Sequence, residues 1–128
     1  MGNNLNELAS YFEPLAMSLL SACAKAGVPC RVIDTGRTPA EQLVKLQQGV
    51  SWTPRSKHEP QPPEGKSEAI DICPLAILQE HKADWDPTLS LWSQIGKIGE
   101  GLGLKWGGSW ITNPDPSHFE YIHPQVKA

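Results

Sequence analysis

Four histidines and a few well-placed acids hold most of the chemistry open to this chain. The histidines are His58, His81, His118 and His123. His81 lies in the charged run Gln79-Glu80-His81-Lys82 and His123 precedes Pro124, so both read as solvated. His58, in Ser56-Lys57-His58, and His118, in Asp115-Pro116-Ser117-His118-Phe119-Glu120, have more telling company. Between them lies Asp71, an acid flanked by Ile70 and Ile72. Burying such an acid is costly unless something pairs with it. A metal ion is one such partner. Two imidazoles and one carboxylate satisfy the three-protein-ligand rule of catalytic zinc, with water in the fourth position. Zinc would polarise a carbonyl and lower the pKa of its water towards about 7. Asp115, three residues before His118, could then act as general base. The plainer alternative has Asp71 capping a turn or pairing with Arg37, and His118 as a hydrogen-bonded core histidine. Spacing alone leaves both open, because this ligand order is not a tight pattern such as HExxH.

These side chains need elements to hold them. Asn3 or Asn4 can cap a first helix to about residue 26, with Leu5, Leu8, Phe12, Leu15, Leu19 and Cys23 on one face and Gly27 as its stop. Cys30 to Asp34 reads as a strand, followed by the turn Thr35-Gly36-Arg37. Thr38-Pro39-Ala40-Glu41 is a helix start, with Thr as cap, Pro at the first position and Glu closing a capping box. That helix carries Leu43, Val44 and Leu46 and ends near Gly49. Residues 50–66 hold four prolines and almost no aliphatic side chain, as a long surface loop does. Residues 67–73 alternate like a strand. A polar turn over 79–85 leads to Asp86-Pro87, the expected cap of a helix bearing Leu89, Trp92, Ile95, Ile98, Gly99 and Leu102 and closed by Gly103. Residues 104–108 and 118–122 read as the last strands. Helices first, then short strands on hairpin-length loops, predict an α+β domain with an antiparallel sheet.

Composition removes several classes. At 128 residues one domain is expected, with no room for a second core. The apolar stretch from Pro14 to Cys23 is far too short to span a membrane. The N-terminus lacks a basic region followed by an apolar one, so no secretory signal is expected. A net charge of −3 argues against general nucleic-acid binding. Cys23, Cys30 and Cys73 are odd in number and form no CxxC pair, which fits buried thiols made in a reducing compartment.

Taken together, several runs form a longer pattern: Ser56-x-His58, Gly65, Ala69-x-Asp71-x-x-Pro74, then Ile95-Gly96-x-x-Gly99-Glu100-x-Leu102-Gly103-Leu104-x-Trp106-Gly107-Gly108-x-Trp110, and Asp115-x-x-His118-Phe119-Glu120. This pattern, over about residues 30–123, resembles the D-alanyl-D-alanine carboxypeptidase / L-alanyl-D-glutamate endopeptidase family of zinc peptidases, which includes VanY-type enzymes and phage endolysins. The resemblance implies one zinc ion held by His58, Asp71 and His118 in a groove on the sheet, with helices packed on one side. It implies Asp115 as the carboxylate acting on the water, and Arg37 as the group that steadies the oxyanion or grips a substrate carboxylate. It implies Gln42 as a polar wall residue, and Ser56 and Glu120 as groups orienting the histidines. One departure stands out: twelve residues separate His58 from Asp71, where the shortest family spacing has only a few. The extra 59–64 segment would bulge beside the metal.

Trp52, Trp106 and Trp110 are candidates either for the groove wall, where flat rings suit a peptide or sugar, or for packing; Trp92 on its helix face reads as core. Gly107-Gly108 would let backbone approach a ligand or simply turn the chain. The expected activity is hydrolysis of a stem-peptide bond in peptidoglycan, with L-alanyl-D-glutamate endopeptidase placed ahead of D-alanyl-D-alanine carboxypeptidase. A metal-containing wall-binding module without catalysis is the rival of another class. The expected protein is a monomer with no nucleic-acid or membrane partner, made in the cytoplasm and acting on the wall after release.

Overall fold

The computed structural model describes residues 3–48, 56–79, 89–111 and 114–124. Trp52, His81 and the Asp86-Pro87 cap lie outside them. The elements in chain order are a 3-10 turn (Leu5–Glu7), α1 (Glu13–Lys25), β1 (Cys30–Asp34), α2 (Pro39–Gln47), β2 (Ala69–Pro74), α3 (Leu75–Leu78), α4 (Ser90–Gly101), β3 (Lys105–Trp106), a second 3-10 turn (Gly107–Ser109) and β4 (His118–Glu120). The strands form one antiparallel sheet in the order β1-β2-β4-β3. Among the described residues, no helix is long and apolar enough to cross a membrane.

The first helix starts later than its apolar periodicity predicts. Ser67 N–H donates to the Glu7 carbonyl at 3.0 Å and Ala9 N–H to the Ser67 carbonyl at 2.8 Å. Leu8 is thereby bridged to Ser67 and held extended, so α1 begins at Glu13, with Pro14 in its first turn. The Thr38 capping box forms as the sequence predicts: the hydroxyl accepts from Glu41 N–H, and the Glu41 carboxylate accepts from Thr38 N–H. α3 is an added turn that the sequence pattern does not reveal. The 59–64 segment does not hang free beside the site. Gln61 bridges to Lys66, and Glu64 accepts from the Ser10 N–H at 2.7 Å, tying the loop back to the N-terminal segment.

Alternation across the sheet separates core from chemistry. Ile70, Ile72, Phe119 and Trp106 share the buried cluster with Leu19 and Cys23 of α1 and Trp92 and Ile95 of α4. Helix α4 reaches the sheet closely through two glycines. A Cβ on Gly99 would lie 2.4 Å from the Phe119 ring, and one on Gly96 2.4 Å from the Trp106 ring. Asp71 and His118, paired directly across β2 and β4, share the other face.

Candidate metal centre

Three chain-distant side chains converge on that face. Asp71 comes from the middle of β2, His118 from the start of β4, and His58 from the loop after α2. Nε2 of His58 lies 3.1 Å and Nδ1 of His118 3.2 Å from the same oxygen, Oδ1 of Asp71. All three ligand atoms lie within 4.8 Å of one another, and all three residues are buried.

The outer hydrogen bonds decide what these atoms can be. Nδ1 of His58 lies 2.6 Å from the Thr35 carbonyl, which only accepts, so Nδ1 carries the proton there. Nε2 of His118 lies 2.9 Å from the Glu120 carboxylate and donates to it. Each ring therefore turns its other nitrogen towards the acceptor oxygen of Asp71. Two nitrogen lone pairs and a carboxylate oxygen facing one another are unfavourable unless a cation lies among them. Tetrahedral zinc, with bonds of about 2.0–2.1 Å, would set its ligands roughly 3.3–3.4 Å apart. The two spacings to Asp71 are close to that edge, so the donor set fits a small divalent ion.

The electrostatics agree. Burial pushes the Asp71 carboxyl up, but the His58 and His118 rings overcome this and hold it well below the usual carboxylate range. Burial pushes the His118 ring down, yet its bonds to Asp71 and Glu120 raise it to about 10. Without an ion, a proton on His118 supplies the positive charge that the site demands.

The remaining side chains divide by distance from this point. Asp115 feels the Asp71, His118 and His58 charges; burial, then the Asp71 charge, raise its carboxyl above the ordinary value. Ser117 Oγ donates to its Oδ1 at 3.1 Å. The loop carrying it closes on Gly107, whose carbonyl accepts from Asp115 N–H at 2.9 Å. Nη2 of Arg37 lies 3.8 Å from Oδ2 of Asp71. The Trp110 ring stands 5.2 Å from the His118 ring, and Lys105 Nζ sits 5.9 Å over that indole. Ser56 acts on backbone rather than ring: its Oγ accepts from the His58 N–H at 3.2 Å. A cavity of about 400 Å³ opens beside His58 and Arg37, walled by Glu7, Thr38, Pro60 and Lys66.

Two expected groove residues lie deeper. Gln42 is fully buried and offers Oε1 to Nη1 of Arg37 at 2.7 Å, which places it behind that arginine. Trp106 belongs to the core, its indole N–H on the Pro116 carbonyl at 2.8 Å and its ring in the space left by Gly96 and Gly108. Three positions escaped the sequence reading. Asp34 holds Arg37 through Oδ2, which takes Nε at 2.8 Å and Nη2 at 2.5 Å. Ser67 Oγ donates to the same Thr35 carbonyl that orients His58. Buried Glu68 accepts from Tyr11 and pairs with His123 at 2.7 Å, so His123, still exposed, ties the C-terminal segment to the body of the fold. A lone acid after a strand or before one carries no local signal of such partners.

Comparison with known proteins points the same way. The family model described as D-alanyl-D-alanine carboxypeptidase matches residues 49–121. The L-alanyl-D-glutamate peptidase of Listeria phage A118 is 27% identical over 122 residues, covering 92% of this chain; the chain spans 39% of that relative's length. Among solved structures, the Serratia marcescens L-Ala D-Glu endopeptidase ChiX matches with a TM-score of 0.66 at 23% identity, covering 93% of this chain and 84% of that one. The LdcB LD-carboxypeptidase matches with a TM-score of 0.56 at 16% identity, covering 90% of this chain and 59% of that one. The two structures share the fold.

Proposed function

The chain belongs to the D-alanyl-D-alanine carboxypeptidase family, and from that premise we propose that it is a zinc-dependent peptidase of the peptidoglycan stem peptide, cutting the L-alanyl-D-glutamate bond. The observation that carries the reading is the pair of acceptor nitrogens, His58 Nε2 and His118 Nδ1, turned onto one oxygen of Asp71. The choice of bond rests on similarity to the phage peptidase across 92% of this chain.

His58, Asp71 and His118 would hold the ion. When bound, it would polarise the scissile carbonyl and make water acidic enough to attack near neutral pH. Asp115 receives the proton of the attacking water on a carboxylate oxygen and passes it to the leaving amine. Its raised pKa suits a group that must both take and return a proton. Arg37 turns N–H donors towards the oxyanion that forms as the carbonyl carbon becomes tetrahedral. Thr35 and Glu120 keep the two imidazoles from rotating. The cavity beside Arg37 takes part of the peptide flanking the cut, and the Trp110 ring borders the site from the β4 side.

A D-alanyl-D-alanine carboxypeptidase is the second reading, favoured by the description of the matching family model. Digestion of purified peptidoglycan with the zinc-loaded protein separates the two. New fragments ending in L-alanine or beginning with D-glutamate support the endopeptidase, and release of free D-alanine alone supports the carboxypeptidase. No release of either, from protein shown to contain zinc, would overturn the proposed activity.

A further inference from the structure

The strand pairing contains an irregularity with a chemical consequence. Along β1 and β2, Cys30 pairs with Pro74, Arg31 with Cys73 and Val32 with Ile72; then Asp34, not Ile33, stands opposite Asp71. The extra residue is a bulge, and bulges re-aim side chains beside active sites. Here it sets two carboxylates directly across from each other, next to His118 on β4. Like charges so placed are destabilising unless a cation lies between them. The guanidinium of Arg37 does so, but unequally: Nη2 is 2.5 Å from Asp34 and 3.8 Å from Asp71.

We propose that Asp34 is a positioning residue that holds Arg37 off the metal ligand Asp71 and fixes which donors the arginine presents. The inference rests on the peptidase reading for Arg37's role, and on the geometry alone for its effect on the ion. Donor arithmetic defines the presentation. Of five guanidinium N–H groups, Nε–H and one on Nη2 go to Asp34, and one on Nη1 goes to Gln42. One N–H remains on each of Nη1 and Nη2, a fork suited to an oxyanion or a carboxylate. Asp34 is itself buried, and among the described residues its Oδ1 has no hydrogen-bond partner. Its engaged oxygen serves the arginine alone. Without the Asp34 charge, the carboxylate left within ion-pair distance of Arg37 among the described residues is Asp71, and an arginine paired there competes with the ion for the carboxylate.

The test is a double-mutant cycle read first on zinc itself, by competition with a chromogenic chelator. Asp34→Asn should weaken zinc binding about tenfold, the lower end of the effect of outer-shell partners. Arg37→Ala should leave binding unchanged or tighten it. In the Arg37→Ala background, Asp34→Asn should change it by no more than about twofold, since residues acting as one unit are non-additive. Equal losses in both backgrounds would mean that Asp34 acts by its own charge or through the fold, and would overturn the proposal, as would no loss in either. Asp34→Glu keeps the charge and should bind zinc within about threefold of the parent; a loss as large as that of Asp34→Asn counts against the proposal too. On a stem-peptide substrate, Asp34→Asn should lower kcat about tenfold with KM within about threefold. If the parent binds zinc but cuts no stem peptide, the peptidase reading fails, while the zinc cycle still decides the role of Asp34.

Discussion

Glu120 accepts the Nε2 proton of His118 at 2.9 Å. The two residues lie two apart on β4 and so project from the same face of the strand. The bond does more than steady a ring. By taking the proton on Nε2 it leaves Nδ1 as the nitrogen facing Asp71, so a carboxylate outside the ligand set determines which atom of His118 could bind an ion. Burial raises the Glu120 carboxyl, but the His118 ring outweighs this and holds it low, keeping Glu120 an ionised acceptor.

Removing that acceptor should therefore be felt at the ion. Glu120→Ala is expected to weaken zinc binding about 10–100-fold, and Glu120→Gln by less, because its amide oxygen can still accept. Chelator competition measures both. Unchanged affinity in Glu120→Ala would show that the His118 ring needs no such partner.

The metal-free protein should carry the cluster's pH signature in its stability. His118 is raised to about 10 in the fold, above the roughly 6.5 of an unfolded histidine. Its contribution is thus complete below about pH 6.5 and is lost as pH climbs through about 10. Asp71 is held low in the fold, so its contribution is present above an unfolded pKa of about 3.9 and is lost as pH falls. Thermal unfolding of chelator-treated protein between pH 4 and 10 should show the cluster's support weakening on the alkaline side. Zinc must displace the His118 proton, so binding at pH 7 should release about one proton per ion. Calorimetry in buffers of different ionisation heat detects this, and buffer-independent heats would contradict it.

What the sequence reveals of this molecule follows how local each signal is. The Thr38 capping box is contained in four residues and forms as its pattern predicts. His58, Asp71 and His118 stand out by residue type, because an acid between two isoleucines needs a partner. The start of α1 is misjudged because the periodicity of Leu5, Leu8 and Phe12 cannot reveal that Ser67, far along the chain, claims the backbone at Leu8. Asp34 is invisible for a similar reason. A bulge exists only in the pairing of two strands, and regular alternation would put Ile33 opposite Asp71. Trp106 in its glycine-rich run looks like a groove residue, yet the glycines make room for its ring inside the core.

Asp115 is the residue at which the proposed catalysis and metal binding can be told apart. It is not one of the three residues of the cluster, and its carboxyl is raised by burial and by the negative charge of Asp71. Asp115→Asn keeps the shape and removes the proton acceptor. Wall hydrolysis should fall about 10²–10⁴-fold, the usual worth of a general base, with zinc content unchanged. Elemental analysis beside a peptidoglycan-release assay makes the comparison, and full hydrolysis by the variant would remove Asp115 from the mechanism.

Gly107 links the core to that acid. A Cβ there would lie 2.5 Å from the Asp115 carbonyl oxygen and 3.1 Å from Cβ of His118. Neither neighbour is a flexible tip: one is backbone, and the other is the root of the buried His118 side chain. Gly107→Ala must therefore push the Asp115 loop away from β4 and stretch the bond from Asp115 N–H to the Gly107 carbonyl. We expect about 1–3 kcal/mol of lost stability from the overpacking, and a loss of turnover larger than the loss of zinc affinity, because the displaced loop carries the proposed base while two of the three candidate ligands lie elsewhere. Gly101→Ala is the control. It ends α4 with nothing within 4 Å of the added Cβ, so it should be neutral or stabilising by up to about 1 kcal/mol. Denaturant unfolding, zinc titration and wall release on both variants give the answer. A Gly107→Ala protein as active as Gly101→Ala would show that the close approach to Asp115 has no bearing on the chemistry.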